Sequence, residues 1–176
     1  SENHTGAAFV QYNEDGSRNF IFMEGAAGET SPEDVDPLYF HKVKAIHVMG
    51  SALSISESSR NAVYKMLEAA IEENNDVEVS FDPNIRPEML GIDETLRILQ
   101  PVVEKATVIL PSGEEAEMLA NMQGEDAACR AIFDKAPRCK LIVLKKGKRG
   151  AQAYVKKESG DLDVISAPTY EVREVD

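Results

Sequence analysis

Four short runs rich in apolar and β-branched residues, Ala45–Met49, Val77–Phe81, Thr107–Leu110 and Lys140–Leu144, are separated by stretches long enough for helices of ten or more residues. Ser56 caps one such stretch, in which Ala62, Met66, Ala69 and Ala70 keep helical spacing. Asp93 opens another, which Pro101 interrupts or restarts, and Ser112–Ala120 and Glu125–Ala136 read as helices split at Gly124. Strands joined through helices must cross over with one hand. The spacing therefore predicts an α/β fold with a mainly parallel, doubly wound sheet covered on both faces.

The two ends of the chain break this rhythm. Thr5–Gln11 and Arg18–Met23 alternate apolar and polar residues around Asn13-Glu-Asp-Gly16, the pattern of a β-hairpin with one wetted face. Ser31-Pro32-Glu33-Asp34 has the hydroxyl, proline and acids of a helix start, so a short helix to about Phe40 is expected. After Lys146-Gly147-Lys148-Arg149-Gly150, Ala151–Val155 and Leu162–Ile165 are expected to pair around Ser159-Gly160-Asp161. This divides the chain into hairpin strands over residues 1–28 and an α/β core over 29–176.

The formal net charge of −12 argues against nucleic-acid or anionic-membrane partners, either of which would repel the chain. Cys129 and Cys139 have neither zinc spacing nor a disulfide framework around them, which suits reduced, half-buried thiols in a cytoplasmic protein. No apolar run approaches the roughly 20 residues that a membrane helix needs. The sequence opens on Ser-Glu-Asn-His-Thr without a methionine, which suggests processing or a fragment, the fragment being favoured by the other end of the chain.

Chemistry concentrates where strands give way to loops. In Val79-Ser-Phe-Asp82-Pro-Asn84-Ile-Arg86-Pro87 the prolines turn the chain out of the sheet and leave Asp82, Asn84 and Arg86 at a strand's carboxyl end. That is the rim at which open α/β sheets bind ligands. From the residues alone, an Asx-turn with a solvated arginine stands as an equal reading. Pro111-Ser112-Gly113-Glu114-Glu115 reads first as a capped helix start. Lys145-Lys146-Gly147-Lys148-Arg149-Gly150 reads first as a basic turn, whose glycines and lysine also suit a polyphosphate. His47 falls within a run expected to be buried and reads as a core residue, while His4 and His41 read as surface positions.

Phe81-Asp82-Pro83-Asn84-Ile85-Arg86-Pro87 resembles a segment of the ribokinase-like (PfkB) sugar kinases, most closely their 2-keto-3-deoxygluconate kinase and fructokinase branches. Gly6-Ala-Ala-Phe-Val10 and Glu14-Asp-Gly-Ser-Arg-Asn-Phe20 resemble the last two strands of that family's β-sheet lid, and the Leu144–Gly150 segment resembles its nucleotide-binding turn. The resemblance implies ATP-dependent phosphoryl transfer, with Mg2+, to a hydroxyl of a sugar or sugar acid such as fructose or 2-keto-3-deoxygluconate. It assigns Arg86 and Asn84 to the acceptor, and Ser112, Lys145, Gly147 and Gly150 to the nucleotide. Glu115 matches a glutamate that organises the metal through water, with Ser112 standing where the family has Asn. Phe22-Met23-Glu24 replaces the Tyr and Arg of the sugar-acid branch, and Glu24 would repel an acidic sugar. In that family the lid strands often form a homodimer by pairing their edges, and Thr5–Met23 suits either that pairing or cover within one chain.

In that family a segment like Tyr170-Glu-Val-Arg-Glu-Val-Asp176 is followed by Thr-Gly-Ala-Gly-Asp, which supplies the anion hole and the catalytic base. Neither that motif nor the family's first strands occur in these 176 residues, so the chain is expected to have no useful turnover alone. A non-catalytic sugar- or nucleotide-binding module of the same fold is the alternative. A doubly wound oxidoreductase fits poorly, because no Gly-x-Gly-x-x-Gly follows any predicted strand.

Overall fold

The computed structural model describes residues 2–13 and 18–171. Strands β1 (Ala7–Tyr12) and β2 (Arg18–Met23) form a separate antiparallel pair, with Phe9 opposite Ile21. The expected turn residues Glu14-Asp15-Gly16 lie outside the described residues, as do 172–176 of the last segment. The core follows as β3 (Ala45–Met49), α1 (Gly50–Leu53), α2 (Glu57–Glu73), β4 (Glu78–Asp82), α3 (Ile92–Lys105), β5 (Val108–Ile109), α4 (Gly113–Ala120), α5 (Glu125–Lys135), β6 (Leu141–Lys145), β7 (Ala151–Lys156) and β8 (Leu162–Ala167).

The six core strands lie side by side in chain order, β3-β4-β5-β6-β7-β8. The first four are parallel, and β7 and β8 are antiparallel additions. The α/β class, the mainly parallel sheet and the N-terminal hairpin are thus as expected. Strand order adds a consequence for the layers. Crossovers of one hand between strands laid down in one direction all fall on the same side. Register shows which side: Val48, Phe81, Ile109, Ile142 and Tyr154 form one row across five strands, and each is buried. Leu53 of α1, Leu67 of α2, Leu99 and Val102 of α3, Ala116 of α4 and Ile132 of α5 pack into the same cluster.

The neighbouring row, His47, Ser80, Val108, Leu141 and Val155, points the other way and is exposed or only half-buried. The second helical layer expected there is not formed by the described residues. This corrects the reading of His47: it lies on an edge strand, is exposed, and has Nδ1 3.1 Å from Ser80 Oγ. Two local expectations also change. Residues 31–40 form two 3-10 turns, Pro32–Asp34 and Pro37–Phe40, because Pro37 restarts the chain after a break at Val35–Asp36. Pro101 neither interrupts nor restarts α3. The carbonyl that loses its partner belongs to Arg97, on the solvent side, while Ile98, Leu99, Val102 and Val103 anchor the helix on both sides of the proline.

Cys129 and Cys139 are free and buried, and burial raises their thiols to about 12 and about 11. His4 and His41 are exposed, as expected. Among the described residues no helix is long and apolar enough to cross a membrane.

Candidate active site

Parallel pairing puts the ends of β3, β4, β5 and β6 on one rim, and each end contributes a different element there. Where β3 ends, Gly50 lets the chain pass close to the next loop: a Cβ on it would stand 1.9 Å from the carbonyl oxygen of Pro83. Ser51 follows, and its hydroxyl accepts a 3.1 Å hydrogen bond from the Asn84 side-chain amide. Asn84 has a left-handed backbone, φ 38°. Asparagine tolerates that geometry better than most residues, and Asp82 Oδ1 closes an Asx-turn by accepting from Asn84 N at 3.2 Å. Asp82 therefore does make the turn that its residue type suggested, and this is half of its role.

Its second oxygen faces the end of β6. Asp82 Oδ2 accepts from Lys145 Nζ at 2.6 Å, across 63 residues of sequence. Asp82 and Lys145 both project from the open face of the sheet, as the alternation from Phe81 and Leu144 requires. The carboxylate is 22% exposed and the ammonium 46%, so water screens the pair only in part.

A second carboxylate makes a parallel bridge. Ser112 is the N-cap of α4 and Glu115 closes the capping box: Ser112 Oγ accepts from Glu115 N at 3.3 Å, and Glu115 Oε2 accepts from Ser112 N at 2.7 Å. The other oxygen, Oε1, accepts from Ile85 N at 2.9 Å, which ties the loop after β4 to the start of α4. Both oxygens retain lone pairs for a further donor such as a metal-bound water. Ser112 in turn pairs with Lys145 in a single parallel bridge, and Lys145 N donates to Pro111 O at 2.8 Å. The loop 82–86, the α4 cap and the end of β6 thus form one hydrogen-bonded unit.

Arg86 leaves this unit and reaches the hairpin, where its guanidinium carbon lies 5.0 Å from the centre of the Phe20 ring. Phe20 stacks with Phe22 along β2, at 5.7 Å between centroids. Beside them a cavity of about 380 Å³ opens between the base of the hairpin and the core, lined by Ala8, Phe22, Glu24, Ala27, Ile55 and Met89.

After Lys145 the chain makes a 3-10 turn over Gly147–Arg149. Gly147 (φ 55°) has open space where a side chain would be, and the amides of Gly147 and Lys148 have no backbone partner among the described residues. Amides without a backbone partner, flanked by lysines, are donors of the kind that suits an anion. Gly150 (φ 86°) has a different constraint: a Cβ would stand 2.1 Å from the Ala167 carbonyl oxygen. Glu125, in the first turn of α5, holds the turn from behind through Lys146 at 3.2 Å and Arg149 Nη1 at 3.2 Å. Hydrogen bonding from Arg149, then from Lys146, keeps the Glu125 carboxyl below its usual range against the opposing effect of burial.

Among the described residues no three His, Cys, Asp or Glu side chains cluster as a metal site. A cation here would be held by one or two carboxylates, water and phosphate, the arrangement typical of magnesium. Asn84, Ser112, Glu115 and Lys145 thus belong to one cluster, Arg86 borders it under the hairpin, and Gly147 and Gly150 shape the turn beside it. Ser51, Glu125 and Phe20 were not anticipated. Ser51 follows a strand-end glycine on the same rim, a signal legible in the sequence, whereas nothing local marks the other two.

A profile for the pfkB family of carbohydrate kinases matches residues 1–175. The chain is 36% identical over 130 residues to the 5-dehydro-2-deoxygluconokinase of Halalkalibacterium halodurans, covering 72% of this chain and 38% of that protein. It is 28% identical over 165 residues to an Arabidopsis thaliana protein provisionally named fructokinase-3, covering 92% and 46%. Among solved structures, an E. coli protein provisionally named Ribokinase II, in complex with ATP and Mg2+, superposes with a TM-score of 0.83 at 32% identity, covering 99% of this chain and 53% of that one. The chain spans about half the length, or less, of the proteins it resembles.

Proposed function

The chain belongs to the pfkB family of carbohydrate kinases, and on that premise we propose that the complete polypeptide transfers the γ-phosphoryl group of ATP to a hydroxyl of a sugar or sugar acid. The observation that carries this reading is the shared rim: the acceptor-side loop ending in Arg86 and the basic turn beginning at Lys145 are joined through Asp82. Phosphoryl transfer depends chiefly on holding donor and acceptor in line and on offsetting phosphate charge. Arg86 and Asn84 hold the acceptor, a guanidinium offering two-point recognition of hydroxyls or a carboxylate. Lys145 and the amides around Gly147 take the phosphates, Gly150 fixes the turn, and Ser112 sets the α4 cap at the nucleotide side. Glu115 would hold magnesium through water, and the ion would supply neutralisation of phosphate charge.

The acceptor class follows from the relatives, fructose or a keto-deoxy sugar acid, and Glu24 at the cavity beside the hairpin weighs toward a neutral sugar. The test is phosphotransfer by the complete polypeptide on a panel holding fructose, 2-keto-3-deoxygluconate and 5-dehydro-2-deoxygluconate. Arg86→Ala should raise the acceptor KM at least tenfold and leave the KM for ATP within about twofold. Absence of ATP-dependent transfer to every member would leave the non-catalytic module, a reading favoured by the confinement of the Ser112 hydroxyl to its cap. The 176 residues alone should show no useful turnover, because the Gly-Ala-Gly-Asp segment that carries the family's base is not among them.

Phe9 and Ile21, 58% and 67% exposed on the outer side of the hairpin, support a homodimer through the lid strands, with the lid at 1–28 and the core at 29–176. Sedimentation of the complete polypeptide as a dimer that Ile21→Lys dissociates is the expected result. The buried, unpaired thiols suit a cytoplasmic protein.

A further inference from the structure

Resting on the kinase reading, we infer that Asp82 is a positioning residue that couples the nucleotide to the acceptor by exchanging its hold on Lys145. One carboxylate serves two loops: Oδ2 accepts from Lys145 Nζ at 2.6 Å, and Oδ1 accepts from Asn84 N at 3.2 Å. Lys145 is the cation at the head of the basic turn, and Asn84 is the residue whose left-handed backbone aims the loop toward Arg86. A triphosphate at that turn offers Lys145 a second and more highly charged partner. The ammonium has one charge to share, so phosphate and Asp82 compete for it.

Two consequences follow. In the empty site, Asp82 withholds Lys145 and places a negative charge close to where phosphate must come, which weakens nucleotide binding. In the filled site, Lys145 turns to phosphate, and the whole charge of Asp82 falls on its remaining donor, the Asn84 amide. The Asx-turn tightens, and the acceptor loop is ordered. Nucleotide binding therefore strengthens acceptor binding, and linkage makes the effect reciprocal. Glu115 keeps the geometry fixed meanwhile, since its bonds to Ile85 N and Ser112 N do not involve Lys145.

The test is calorimetric, on the complete polypeptide, with the non-hydrolysable nucleotide AMP-PNP and Mg2+, with and without the sugar that it phosphorylates fastest. Wild type should bind AMP-PNP about fivefold more tightly with the sugar than without it, at the lower end of common coupling factors. In Asp82→Asn, affinity without sugar should rise roughly two- to fivefold, the equivalent of removing one partly exposed ion pair, and the enhancement by sugar should fall to about onefold. In a Lys145→Met background Asp82→Asn should leave the enhancement by sugar unchanged, because only the repulsion between Asp82 and phosphate is then removed. Asp82→Ser, which keeps a turn-forming oxygen without the charge, should repeat the Asn result and replaces it if that variant does not fold.

A merely structural Asp82 would weaken both ligands together and leave the enhancement by sugar intact, which would overturn the inference while the kinase reading stood. Wild-type protein that binds AMP-PNP without any effect of sugar would do the same. Wild-type protein that fails to bind AMP-PNP, or phosphorylates no sugar, would overturn both.

Discussion

Leu141 and Ile142 are adjacent on one strand, similar in size, and belong to different environments. Ile142 lies in the row with Phe81 and Ile109, under the helices and without exposure, whereas Leu141 lies in the row with Ser80 and Val108, on the side that no described helix covers. The difference arises from strand order. Parallel strands added one after another in one direction send every right-handed crossover to the same side. The strands carry apolar residues on both sides all the same, with Val108, Leu141, Val143, Ala153 and Val155 half-buried on the open one. Asp82 and Lys145 stand at the rim of that open face, so the candidate site occupies the less protected side of the sheet.

The sharpest way to break the comparison is to truncate both neighbours in the 176-residue chain. Ile142→Ala should cost about 4 kcal/mol of unfolding free energy, since a fully buried aliphatic chain is lost and close packing leaves a cavity. Leu141→Ala should cost about 1 kcal/mol, because a half-exposed chain loses only part of its transfer energy and leaves no sealed void. Urea unfolding of the two variants provides the measurement. Equal losses would show that the second face is as well packed as the first.

A smaller contrast of the same kind holds within the turn after β6. Gly150 meets the Ala167 carbonyl where β7 begins beside the end of β8, and Gly147 faces open space. Gly150→Ala should cost at least about 2 kcal/mol, the strain of φ 86° added to a displacement of backbone. Gly147→Ala should cost about 1 kcal/mol, from conformation alone. If the Gly147 amide contacts phosphate, Gly147→Ala should nevertheless weaken ATP binding by the complete polypeptide. A loss of stability without any loss of ATP affinity would leave Gly147 a purely structural turn residue.

Much of this arrangement could be read before any coordinates, and the exceptions have a common cause. Asp82 at a strand end, Ser112 with Glu115 in a capping box, and Lys145 at the head of a glycine turn are local patterns, each set by a few neighbouring residues. The layer arrangement is not local: alternation along a strand says that two faces differ, and strand order says which side the helices take. The exposure of His47 escapes the sequence for the same reason, since a run of apolar residues looks alike in an edge strand and a central one. The Asp82–Lys145 and Arg86–Phe20 contacts join segments 63 and 66 residues apart, and no spacing rule reaches that far. Pro101 shows the reverse case, in which packing on both sides overrides a strong local signal.

The smallest expected effect concerns Glu125, which holds the nucleotide turn from behind through Arg149 and Lys146. Its pKa in the folded chain is lowered, first by the Arg149 hydrogen bond, so the folded state binds the proton less readily than the unfolded one. The stability it contributes is therefore present above the unfolded carboxyl value of about 4.5 and is lost as pH falls through the lower folded value. Because its partners reach solvent, the contribution is small and screened by salt. Wild type and Glu125→Gln should thus differ slightly in stability at pH 7, and should converge on acidification as the wild-type carboxyl takes up its proton. Lys145 is joined to Asp82 rather than to Glu125, so that bond should survive the substitution while hydrogen exchange of the Arg149 and Gly150 amides, which close the turn onto Lys146 and Gly147, quickens. Equal exchange rates in the two proteins would mean that Glu125 is dispensable and that the Gly150–Ala167 contact alone seats the turn.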